Sequence, residues 1–169
     1  MRVQASALRG MVSGCLSHCR VQGIASAVTA MTILSASLTL APSAVADSVD
    51  NLRTAVMTVR SASCGPLRSN PLVEQAAKEV NRSTDAWRDF NARAVPVPDP
   101  LPLLKDLGYG GTKAKAVSGA GQTDAAAIKG LVIQGYLDIP HCSYTDYGVS
   151  VLRNRTTNFV LAVLVLAGA

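Results

Sequence analysis

Apolar residues recur at helical spacing from Asp47 onward. Val49, Leu52, Val56 and Val59 share one face of a helix predicted over residues 47–61. Asp47 and Ser48 stand where an N-cap belongs, Asp50 and Arg60 suit the helix dipole, and Ser63-Cys64-Gly65-Pro66 ends the element. A second helix opens at Asn70-Pro71, with Asn as cap and Pro in the first turn. Leu72, Val73, Ala76, Ala77, Val80 and Trp87 form its apolar stripe, and it fades near 89–91. Its polar face carries Glu74, Lys78, Glu79 and Arg82, with Glu74 and Lys78 one turn apart. Pro96, Pro98, Pro100 and Pro102 predict an extended connector over 94–102. A short helix over 103–107 stops at Gly108-Tyr109-Gly110-Gly111, and 112–118 alternates as an edge strand would. A third helix is predicted over 124–136, capped by Thr123 or Asp124, with Ile128, Leu131 and Val132 inward.

The strongest strand signals come last. Residues 147–152 alternate, and 158–166 end in an unbroken apolar run from Phe159 to Leu166 that suits a central strand covered on both faces. Arg153-Asn154-Arg155-Thr156-Thr157 is the polar turn between them. Two to three helices on a small, mostly antiparallel sheet define an α/β sandwich.

Composition changes the picture at the N-terminus. The chain of 169 residues is 49% hydrophobic and only 16% charged, with a net charge of +5. That charge fraction is well below the roughly 25% of an average soluble domain, and it excludes a disordered chain. The apolar excess is uneven. Arg2, Arg9 and Arg20 are the only charges before Asp47, and 23–40 carry none. Ala44-Val45-Ala46 then supplies small residues at a cleavage site, so 1–46 read as a secretory signal peptide and 47–169 as one exported domain. A retained membrane anchor is the alternative; Met11 or Met31 are alternative starts, and Met31 would leave no working leader. Cys15, His18 and Cys19 fall inside the leader and are not read as a metal site. Without the leader's three arginines the net charge falls to +2, and no basic cluster with interleaved aromatics suggests a nucleic-acid partner. Cys64 and Cys142 remain. In an oxidising compartment they form one disulfide; two buried free thiols are the alternative.

Candidate chemistry is sparse. His141 is the only histidine after the leader, and Asp138 and Asp146 are its nearest acids in sequence, a set that a hydrolase would need. The chain has no G-x-S-x-G, C-x-x-C, H-E-x-x-H or phosphate loop. Trp87 and Tyr136 read as core or cleft packing. Asn81-Arg82-Ser83 and Asn154-Arg155-Thr156 match the N-glycosylation pattern.

The order of elements resembles a known family. Leu52-Arg53-Thr54-Ala55-Val56, Arg60-Ser61-Ala62, Cys64-Gly65-Pro66-Leu67 and Asn70-Pro71-Leu72-Val73-Glu74-Gln75-Ala76-Ala77 are similar to the helix pair that opens bacterial CAP-superfamily domains, the cysteine-rich secretory, antigen and pathogenesis-related group. Tyr144-Thr145-Asp146-Tyr147-Gly148-Val149-Ser150-Val151 resembles the closing strand of that family, and the whole resembles small secreted CAP-like proteins of mycobacteria and related actinomycetes. The resemblance implies a three-layer α-β-α sandwich with a central cleft in which two His and acidic residues hold a cation. Those residues are not matched. Asn91 is nearest the first His, Ser118-Gly119-Ala120-Gly121 stands where the acid belongs, and Tyr136 is nearest the second His, with His141 displaced. One imidazole cannot assemble a two-His site, so no metal, cofactor or catalytic residue is expected. The resemblance then implies a secreted binding protein for a lipid or small hydrophobic ligand, with Asn91, Tyr136 and His141 as cleft candidates. A cell-envelope or host-facing interaction protein, using Arg153 and Arg155, is the alternative, and behind it a hydrolase using His141 with Asp138 or Asp146.

Overall fold

The structure is a computed structural model that describes residues 44–91 and 96–169. The predicted leader, its Cys15-His18-Cys19 cluster and the alternative starts lie outside the described residues, except that Ala44–Ala46 open the first helix. The chain forms α1 (Ala44–Ser61), β1 (Arg68–Ser69), α2 (Pro71–Arg88), α3 (Leu101–Asp106), β2 (Lys113–Gly121), α4 (Asp124–Gln134), β3 (Asp146–Arg153) and β4 (Val160–Gly168). The strands form one sheet in the order β1-β3-β4-β2, antiparallel except for β1 beside β3.

The apolar run of β4 takes the central place that its pattern predicts, and all nine of its residues are buried. Its side chains alternate between two cores. Ala162, Leu164 and Leu166 face Leu52 and Val56 of α1 and Ala127 and Leu131 of α4. Val163, Val165 and Ala167 face Val73, Ala77 and Val80 of α2 and Leu104 of α3. The result is the three-layer α-β-α sandwich expected for a CAP-like chain. Glycine sets the spacing of both outer layers. A Cβ on Gly148 would overlap the α2 backbone at Val73 and Glu74, and one on Gly119 would overlap the α4 backbone at Ala127 and Leu131.

The caps of α2 and α4 follow the sequence; that of α1 does not, because the helix already begins at Ala44 and Asp47 and Ser48 lie inside it. Asn70 Oδ1 accepts from Leu72 N–H at 2.9 Å at the start of α2, and Thr123 Oγ1 accepts from Ala126 N–H at 3.2 Å at the start of α4.

Several expectations need correction. Trp87 is not part of the buried stripe of α2; it is 45% exposed, because the stripe outlasts the sheet beneath it. Tyr136 is 64% exposed rather than packed, since α4 ends at Gln134 and the chain turns away. Ile128 and Val132 are only partly buried. The two-residue β1 is too short to leave a pattern in the sequence, and β2 runs on to Gly121. Neither glycosylation pattern is usable: Asn81 is 1% and Asn154 0% exposed, and both amides are committed to internal hydrogen bonds.

The C-terminus of α2 closes unusually. Asn91 N–H reaches Ala86 O at 2.8 Å and Phe90 N–H reaches Trp87 O at 3.1 Å, the paired bonds of a Schellman turn. The left-handed position in that turn is held by Phe90, with φ 57° and 95% exposed, where glycine fits without strain. Phe90→Gly is expected to raise stability by about 1 kcal/mol, read as a higher urea midpoint with an unchanged slope.

Candidate ligand-binding site

Helix α2 lies over β3 and β4, and α3 covers the sheet only near Ala114 and Ala116. The last residues of β2 therefore have no helix above them on this face. A groove of about 240 Å³ opens there. Ser118, Gly119, Leu161, Ala162 and Val163 make a largely apolar floor with Ala120 at its exposed rim, and Asn81, Thr84 and Arg88 of α2 make one wall.

Two members of that wall keep unused polar atoms. Asn81 Nδ2 donates to Ser150 Oγ and to Leu161 O, both at 3.1 Å, which fixes the orientation of the amide. Its Oδ1 is buried without a partner among the described residues, as is Arg88 Nε. An unpaired buried polar atom costs about 1–3 kcal/mol. The Arg88 guanidinium stacks over the Phe159 ring at 5.3 Å and has no carboxylate partner among the described residues. The signal for these residues was present in the sequence. Positions 77, 81, 84 and 88 continue the apolar face of α2, and three of them are polar.

A second polar centre lies at the opposite end of the sheet. Asp146 is 6% exposed and accepts from Tyr109 Oη at 2.7 Å, while Arg68 Nη2 lies 3.1 Å from its other oxygen. Burial, reinforced by the hydrogen bond to Asp146, pushes the Tyr109 phenol up to about 12. Asp146 is thus committed to Tyr109 and Arg68 and does not meet His141. His141 is exposed; its Nδ1 lies 2.6 Å from Ser143 Oγ, and its ring is 5.8 Å from that of Tyr144. Asp138 acts on Tyr144, whose phenol it raises together with burial, the larger cause. No cluster of three or more His, Cys, Asp or Glu that could hold a metal occurs among the described residues.

The three cleft candidates are not brought together. Asn91 follows α2 at the end of the sheet that carries the β3–β4 turn, where Asn154 Nδ2 donates to Asp85 at 2.7 Å and Asp89 at 2.9 Å. Tyr136 and His141 follow α4, on the other layer, toward the end of the sheet where β3 begins. Cys64 and Cys142 do meet, as a disulfide with Cα atoms 5.4 Å apart.

The fold defines a class: an α-β-α sandwich of the CAP type. No protein-family model matches the sequence, and no curated protein matches it significantly. Solved structures do. An outer surface protein from Borrelia burgdorferi superposes with a TM-score of 0.60 at 12% identity, over 72% of this chain and 92% of that one. A cysteine-rich secretory protein from Staphylococcus aureus gives 0.56 at 12% identity, over 76% of this chain and 40% of that one. An extracellular protein containing a SCP domain from Bacillus anthracis gives 0.50 at 14% identity, over 74% and 41%. This chain spans about two fifths of the latter two proteins. At such identities the likeness is one of fold.

Proposed function

We propose that this chain is an exported, non-catalytic CAP-like binding protein, of the degenerate kind found among small actinobacterial secreted proteins, that holds a small hydrophobic ligand in the groove beside α2. The observation that carries the reading is the apolar floor of that groove walled by Asn81 and Arg88 with unused polar atoms. Such a lining suits an apolar body with one polar end. Export agrees with the signal-peptide pattern of 1–46, with a disulfide, and with structural neighbours that are outer surface, secretory and extracellular proteins. Among the described residues no helix is long and apolar enough to cross a membrane.

Native mass spectrometry of the purified protein, together with titration by the dye Nile red, tests the proposal. A retained lipid-like mass and saturable fluorescence are expected. Ala120→Trp fills the groove from its exposed rim and should weaken dye binding tenfold or more, or at least about 1.4 kcal/mol, with the fold unchanged. Absence of both ligand and dye binding, or equal binding by Ala120→Trp, overturns the reading.

A further inference from the structure

The edge of β3 is left open beyond β1. β1 pairs only with the first two residues of β3, at Asp146 and Tyr147, and the chain then leaves the sheet into α2. Asn70 N–H donates to Tyr147 O at 3.1 Å, so the backbone polar groups of Tyr147 point toward β1. Strand alternation then places the N–H and C=O of Val149 and Val151 on that same edge, and turns those of Gly148, Ser150 and Leu152 into the β4 ladder. Asn154 N–H bonding to Phe159 O at 2.8 Å fixes the same phase at the far end. No hydrogen bond among the described residues reaches Val149 or Val151 from the open side.

This edge is recessed. It forms the floor of a cavity of about 260 Å³, with Val49 of α1 on one side and Glu74, Lys78, Asn81 and Arg82 of α2 on the other. Arg53 of α1 reaches Glu74 of α2 at 3.3 Å. The backbone defines the occupant. The unpaired peptide groups repeat every second residue, about 6.6 Å apart, a spacing that another extended backbone matches and a lipid chain does not. The rim selects no sign of charge: Lys78 and Arg53 share Glu74, and Arg82 pairs with Glu79.

We propose that the recessed edge of β3 binds an extended peptide segment of another protein, which pairs with Val149 and Val151 as an added strand next to β1. The segment would continue the edge that β1 begins. Nothing in this inference depends on the groove on the other side of Asn81.

Amide NMR titration with a blocked peptide of alternating Val and Thr, with one Lys and one Glu at its ends, tests it. The Val149 and Val151 amides are expected to shift downfield and to exchange with solvent at least tenfold more slowly, while Gly119 and Ala120 stay in place. Val151→Pro removes only an edge donor and no ladder hydrogen bond, and should weaken binding at least tenfold. Because that variant could lose its fold, the peptide N-methylated on its alternate, strand-facing residues gives the same test on the native chain and should not bind. Equal binding by the N-methylated peptide overturns the proposal. So do shifts centred away from β3, and so does an edge protected only by concentration-dependent self-association.

Discussion

Replacing Cys64 and Cys142 together by serine is expected to lower stability by about 3–4 kcal/mol. The bridge closes a loop with a sequence separation of 78 residues, and the chain-entropy estimate for such a loop is about 4.5 kcal/mol at 25 °C, an upper figure for most measured cases. The loop it closes contains α2, α3, β2 and α4, so the unfolded chain gains freedom over most of the domain when the bridge is lost. The bridge joins the turn after α1, where Ser63 and Cys64 N–H both bond to Arg60 O, to the segment that leads into β3. Urea unfolding of the oxidised protein against the double variant measures the difference. A shift under about 1 kcal/mol would show that the two segments are held without the bridge.

The second large effect is expected at Arg60. This arginine is 3% exposed, yet it meets no carboxylate among the described residues. It donates instead to four carbonyls: Gly65 O at 3.1 Å, Ile139 O at 2.9 Å, His141 O at 2.7 Å and Tyr144 O at 2.6 Å. Burial pulls its pKa below the usual arginine value, but guanidinium starts so high that it stays charged across the working range. Arg60→Met fills much of the same space and leaves those carbonyls unpaired. Each charge-assisted bond is worth about 1.5–3 kcal/mol and each orphaned carbonyl costs about 1–3; after relaxation a net loss of about 3 kcal/mol, or roughly 10 °C in Tm, is expected. Arg60→Lys should recover only part, since one ammonium cannot span four acceptors. Arg60 and the disulfide fasten the same two segments, so their effects are expected to be non-additive by about 0.5 kcal/mol or more in a double-mutant cycle, as found for contacting groups. Additive effects would mean that the two fasten independently.

The elements were legible because their causes are local. Asn70-Pro71 caps and starts α2, Thr123 caps α4, and the run from Phe159 to Leu166 has no polar residue to offer water, so it had to become a strand covered on both faces. The spare pair Cys64 and Cys142 became the disulfide. The binding surfaces were less legible. Asn81 and Arg88 sit at positions where helical spacing calls for apolar side chains, which marks them as unusual but does not say what they face. Asn91, Tyr136 and His141 were matched to a family pattern along the chain, and distance along the chain does not tell which layer or which end of a sheet a residue reaches.

Residue order alone was enough for the α/β class, most of the elements, the caps of α2 and α4, the central place of the last strand and the cysteine pair. These follow from periodicity, capping and burial, which act within a few residues or on one element at a time. Packing in three dimensions decided which edge of β3 is left open, that Trp87 and Tyr136 lie outside the core, that Arg60 rather than an apolar residue binds the corner beneath the disulfide, and that a groove opens where α3 stops short of the end of β2. Each of those depends on how far one element reaches over another, a matter of lengths and crossing points between segments far apart in the chain, for which no local pattern carries a signal.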